Sequence, residues 1–297
     1  MLKGSFTLLA TPFKDDGSLD EEGLRKLAKF QLDAGVHGIS PLGVTGENPS
    51  LTDSEVARVI EILKDEIGNK TLLIPDTCAN SVAKVIERVK LYGKLGCDYI
   101  SVYTPFLVMP TQQGMIEFFK RAADASEIPL ILHDDLKRVG VVLSAESIAE
   151  LAEHPNIIGI KEGVKNIDHL LKIILLTKDK NFSVFTGKDT TLYPLLCIGG
   201  MGNFAVAGNV VPKVMKSIVD LYFSGKKEEA EKLHFDYMYL FEALRWETNP
   251  MGVKEAMNQM GLPAGPVRIP LTRLSKKNRE ALEKILKEKG LFGKYKA

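Results

Sequence analysis

The chain is poor in the residues that mark several large classes of protein. It has three cysteines in 297 residues, at 78, 97 and 197, odd in number and matching neither a disulfide framework nor a Cys-x-x-Cys metal pattern. Buried free thiols in a reducing cytosol are expected, and with them a cytoplasmic location. No run reaches the roughly 18 apolar residues that span a bilayer, so no membrane partner is expected. The N-terminus carries Lys3 and then Pro12 and Asp15-Asp16 with no small-residue cleavage site, which reads as a first strand and not as a signal peptide. Neither sign of charge is in excess. The 39 Lys and Arg against 38 Asp and Glu leave +1, which removes nucleic acid and anionic membrane as default partners. Five histidines, at 37, 133, 154, 169 and 234, are too scattered for a metal cluster. No metal and no cofactor are expected.

What is present is an alternation. Short β-type runs occur at 5–13, 38–43, 71–76, 99–103, 130–133, 157–161, 183–187 and 202–206. Helical patterns lie between them; in VARVIEILKDEI, Val56, Ile60 and Leu63 form one apolar stripe with charges opposite. Ser18 and Asp20, Thr52-Asp53, and Ser144 are helix start signals. One strand–helix unit takes about 25 residues, a natural length for a right-handed βα repeat. The runs are continuously apolar, as parallel strands covered on both faces are. Eight units with no glycine-rich turn after the first strand predict an α/β fold of the TIM (β/α)₈ type over residues 1–210 and not a dinucleotide-binding sheet. Residues 211–297 read as helices only (211–224, 226–247, 249–260 and 275–290) and are expected as a C-terminal extension packed on the barrel.

Such barrels carry their chemistry at the C-terminal strand ends. That restricts the search to Thr11, residues 43–47, Asp76, Tyr103, His133 with Asp134 and Arg138, Lys161-Glu162, residues 187–189 and Phe204. Lys161 ends the apolar run Ile157–Ile160, which carries its amine to the barrel mouth. At a pKa of about 10.4 only roughly 1 in 2,500 amines is neutral at pH 7, and burial raises that fraction toward what a Schiff-base nucleophile needs. The alternative is a lysine that snorkels to solvent. Gly43–Glu47 (GVTGE) can offer backbone N–H groups and the Thr45 hydroxyl to a carboxylate, although Gly-x-x-Gly alone is mostly turn punctuation. Arg138 can pair with a second carboxylate or can be an ordinary surface arginine.

These segments, together with IIGIKEG, TGKD, GNFAVAGN, NPMGVK and VRIPLT, resemble the dihydrodipicolinate synthase/N-acetylneuraminate lyase family over essentially the whole chain. The resemblance implies a class I aldolase barrel, a homotetramer or homodimer, and a Schiff base between Lys161 and pyruvate or another 2-keto acid. The tail segments are most similar to the branch that condenses pyruvate with aspartate semialdehyde in lysine biosynthesis. By position, Val44, Thr45, Gly187 and Phe204 would bind the keto acid, with Phe204 contributing backbone, and Arg138 would meet the second substrate. The chain departs from the family at three proton-relay positions. The family's Thr-Thr is Val44-Thr45, its tyrosine after the fourth strand is replaced in Phe106-Leu107, and its tyrosine ending the fifth strand is His133. His133 is expected to shuttle protons, oriented by Asp134 or Asp135; the alternative is a histidine that only fills the tyrosine's space. The departures keep open retro-aldol cleavage or dehydration of a 2-keto-3-deoxy sugar acid, and a non-catalytic keto-acid-binding or scaffold protein.

Overall fold

The computed structural model describes residues 1–163 and 166–295. The elements run β1 (Gly4–Leu8), α1 (Glu21–Ala34), β2 (Gly38–Ser40), α2 (Asp53–Ile67), β3 (Leu72–Leu73), α3 (Val82–Lys94), β4 (Ile100–Tyr103), α4 (Gln112–Asp124), β5 (Leu130–Asp134), α5 (Leu136–Val139), α6 (Ala145–Leu151), β6 (Ile157–Glu162), α7 (Ile167–Thr177), β7 (Ser183–Thr186), α8 (Leu192–Cys197) and β8 (Gly202–Ala205). Four helix-only elements and one more complete the chain: α9 (Pro212–Phe223), α10 (Lys227–Asp236), α11 (Met238–Ala243), α12 (Met251–Met260) and α13 (Lys276–Glu288). All eight strands are parallel, in the order β3-β2-β1-β8-β7-β6-β5-β4. The remaining seam, β3 to β4, is joined by the parallel bridge Asp76–Ser101 and by Thr77 N donating to Ser101 O at 2.9 Å. The expected (β/α)₈ barrel is what forms.

Start signals act as read. Asp20 accepts from Gly23 N, Thr52 and Glu55 make a reciprocal capping box, and Ser144 accepts from Ser147 N. Ser18 instead bonds Asp16, so it is not a cap. Strand ends are where the reading overshoots. The run 5–13 is strand only to Leu8, because Pro12 and the turn at 15–17 cannot continue a ladder, and 71–76 keeps two strand residues plus the bridge at Asp76. The expected helix 226–247 breaks at Tyr237, whose backbone leaves helical geometry. Cys197, expected buried, ends α8 on its outer face and is exposed, while Cys97 is buried and Cys78 half-buried; all three are free.

The core fills the barrel and the shell between strands and helices. At the axis Phe6, Phe185 and Phe204 meet with ring centroids 5.1–5.5 Å apart, a packed floor and not a pore. Beyond β8, α9 lies against β1 and α1, and α10 packs on α9 and α8. No helix among the described residues is long and apolar enough to cross a membrane.

Candidate active site

Parallel register sets the site. Tyr103 pairs with His133, His133 with Lys161, and Lys161 with Phe185, so three polar side chains stand in one row at the C-terminal ends of β4, β5 and β6. Lys161 is 4% exposed. Its Nζ lies 5.5 Å from the Phe204 ring centroid, directly on the aromatic floor, and 3.5 Å from His133 Nδ1. Burial pushes the Lys161 amine down to about 8; nearby Asp76 and Asp135 oppose this and Arg245 and Lys188 add to it. Roughly one amine in eleven is then neutral at pH 7. Gly187 gives the chain room, since a Cβ there would sit 3.2 Å from Lys161 Cε.

His133 is oriented by neither of the two aspartates that follow it. Its Nδ1 lies 2.5 Å from Asp76 Oδ2, at the β3–β4 seam, and Asp76 is also held by Ser101 Oγ (3.1 Å) and Cys78 N (3.2 Å). Asp134 turns away to accept from Leu143 N at 2.6 Å, and Asp135 faces Lys188 at 3.8 Å. Burial and the Lys161 charge keep His133 below the ordinary imidazole value, against the pull of Asp76. Burial alone would raise the Asp76 carboxyl, yet the facing His133 and Lys161 hold it below its usual value. A carboxylate against Nδ1 fixes the proton there, which leaves Nε2 as the basic nitrogen. The row therefore sets a buried amine beside an imidazole whose Nδ1 faces both Asp76 and Lys161.

A cavity of about 240 Å³ opens over His133 and Lys161, bounded by Val44, Thr45, Arg138, Lys188, Arg245 and Asn249 among others. Thr45 is buried and its Oγ1 accepts from Asn249 Nδ2 at 2.9 Å. The turn holding it depends on Gly46, where a Cβ would come 2.8 Å from Leu42 N. Val44 N and Thr45 N make no backbone hydrogen bond among the described residues, and both residues line the cavity. Arg138, at the end of α5, is exposed at the rim and pairs with no described residue. Lys188 and Arg245 enter from the other side, and Arg245 Nη2 donates to Gly187 O at 2.8 Å. The Phe204 ring packs below the amine. Of the expected site residues, Lys161, His133, Val44, Thr45, Arg138 and Gly187 line one cavity, with Phe204 beneath it.

A model of the dihydrodipicolinate synthetase family matches residues 1–289. The chain belongs to that family. It is 39% identical over 292 residues to a 4-hydroxy-tetrahydrodipicolinate synthase of Geotalea uraniireducens, covering 98% of this chain and 100% of the relative. A 4-hydroxy-tetrahydrodipicolinate synthase of Methanothrix thermoacetophila is 36% identical, with 96% of each chain covered. Among solved structures, the dihydrodipicolinate synthase of Acinetobacter baumannii complexed with pyruvate superposes with a TM-score of 0.95 at 33% identity, over 98% of this chain and 100% of that one. Members of the synthetase family are class I aldolase-type lyases, and this chain is an enzyme of that type.

Three groups of the site were not assigned a role by sequence reasoning. Asp76 ends the apolar run TLLIPD, and a carboxylate closing a buried strand was the signal available. Asn249 and Arg245 belong to the tail, and nothing local in NPMGVK or LRWET places them at the barrel mouth.

Proposed function

We propose that the protein is a 4-hydroxy-tetrahydrodipicolinate synthase, joining pyruvate to aspartate semialdehyde through a Schiff base on Lys161. The observation that carries this reading is the buried amine at about 8 beside the Asp76–His133 pair. The neutral amine attacks the pyruvate carbonyl carbon; water leaves and a protonated imine forms. That imine draws electrons from the adjacent methyl group, whose proton passes to His133, and the resulting enamine carbon attacks the aldehyde. The amino group of the added aspartate semialdehyde then attacks the imine carbon, closing the ring and expelling the Lys161 amine, which takes up the proton that the attacking nitrogen loses. Thr45, with the Val44 and Thr45 N–H groups, holds the keto-acid carboxylate. Gly187 leaves space for the imine, Phe204 supports it from below, and Arg138 receives the carboxylate of the second substrate.

Borohydride reduction in the presence of pyruvate tests the reading. The expected result is a pyruvate-derived mass on Lys161 and consumption of aspartate semialdehyde by the untreated enzyme. No adduct with any 2-keto acid would leave a non-catalytic binding or scaffold protein. An adduct without aspartate semialdehyde turnover would favour cleavage or dehydration of a 2-keto-3-deoxy sugar acid. That second reading draws on Val44 and Leu107, neither of which can carry a proton. The exposed apolar trio Leu107, Val108 and Met109 (84%, 64% and 64% exposed) supports assembly as a homodimer or homotetramer, and the free thiols suit the cytoplasm.

A further inference from the structure

Tyr103 is the one member of the strand-end row that the steps above leave unused. It ends β4 in register with His133, and the two rings meet at 4.0 Å between centroids, inclined at 67°. The residue is 2% exposed, and its hydroxyl is buried without a hydrogen-bond partner among the described residues. A buried hydroxyl left unpaired is a donor open to a group that arrives with the substrate. The place where that partner would sit is defined. His133 and Lys161 line the inner cavity, whereas Tyr103 lines an adjoining one of about 380 Å³; Val44, Arg138, Thr248 and Asn249 form the shared wall. Tyr103 thus lies against His133 where the two cavities meet, and Arg138 lines both, so an aldehyde bonded at the imine and directed toward Arg138 passes the Tyr103 side of the row.

Building on the aldol reading above, we propose that the Tyr103 hydroxyl is a catalytic group of the condensation step, donating a hydrogen bond to the carbonyl oxygen of the acceptor aldehyde. As the enamine carbon bonds the aldehyde carbon, the C=O π pair moves onto oxygen and the nitrogen lone pair restores the iminium. The oxygen, held by the Tyr103 O–H, gains negative charge and then takes a proton from water, while the proton lost earlier from the methyl group leaves His133 to water. Tyr103 stays a neutral donor throughout, in keeping with burial and the nearby Asp135 and Asp76 charges, which raise its phenol well above the ordinary value. A donor aimed at developing oxyanion charge contributes about 10²- to 10³-fold in rate.

The test is Tyr103→Phe, read in two half-reactions of the intact enzyme. Deuterium exchange into the pyruvate methyl group needs only Lys161 and His133, and it should stay within about twofold of wild type. Condensation with aspartate semialdehyde, or with D-glyceraldehyde if wild type consumes only that, should fall about 100-fold. The melting temperature should hold or rise, since an unpaired hydroxyl is removed. Equal loss of exchange and condensation would overturn the assignment and make Tyr103 a support for His133. Unchanged condensation would overturn it as well. Failure of wild type on aspartate semialdehyde alone counts against the proposed second substrate, while the variant-to-wild-type ratio on D-glyceraldehyde still decides the role of Tyr103. Wild type inert to both aldehydes overturns both.

Discussion

Asp76 does two opposed things at once. In the proposed reaction its carboxylate holds the His133 proton on Nδ1 and leaves Nε2 as the base, yet the same charge favours the Lys161 ammonium and works against burial. The net result is an amine at about 8, so the rate of imine formation at low pyruvate should rise tenfold per pH unit below that value and level off above it. The sign follows from which form reacts: the ammonium dominates below pH 8 and has no lone pair to offer. Asp76→Asn separates the two effects. Without the charge the Lys161 amine falls further, so the limb moves to lower pH. Without the carboxylate the His133 tautomer is no longer fixed, and methyl deuterium exchange should drop about 100-fold. Stopped-flow imine formation and exchange followed by NMR read the two separately; a limb that stays put would show that Asp76 does not act on Lys161.

At the scale of elements, the C-terminal end of β5 concentrates the cost of building this site. Asp134 is buried one residue beyond His133, and burial raises its carboxyl to about 7. The native state then holds a proton that the unfolded chain gives up near pH 4, so stability declines as pH rises from about 4 to 7, by up to ~4 kcal/mol. Asp134→Asn keeps an acceptor for Leu143 N and removes the charge. It should raise the melting temperature by a few degrees at pH 8 and leave it unchanged at pH 4, as a thermal scan at the two pH values would show. Element identity was legible because it rests on local physics: periodicity marked the helices, caps at Asp20, Thr52 and Ser144 marked their starts, and apolar runs marked eight strands. Lys161 was legible because its strand is apolar up to the amine. The partner of His133 was not, because Asp76 lies 57 positions away and only the closing of the β3–β4 seam brings the two together. Sequence neighbours Asp134 and Asp135 competed for that role and lost it to strand pleat and loop direction.

Across the whole molecule, the C-terminal helices complete the mouth of the barrel. Asn249 reaches Thr45 from just before α12, and one turn further on Lys254 Nζ donates to Glu47 Oε1 and to Pro266 O, both at 2.7 Å. Glu47 takes a left-handed φ of 54°, and its second oxygen accepts from Arg268 N at 2.9 Å. The turn that would hold the keto-acid carboxylate is therefore clamped from the tail by a buried ion pair. Lys254 is 2% exposed, and burial pulls its amine down to about 8 even with Glu47 opposing. Such a pair adds little over an apolar substitute, but breaking one side strands a buried charge at about 3–5 kcal/mol. Lys254→Met should cost about 3 kcal/mol in denaturant unfolding and weaken pyruvate binding, because the turn carrying Thr45 loses its clamp. The pH limb near 8 should not move, since Lys161 keeps its surroundings. Adding Glu47→Gln to that variant should recover part of the stability by removing the stranded carboxylate, and pyruvate binding should stay weak because the clamp is still missing. Recovery of both together would mean that the charge, and not the clamp, governs the turn.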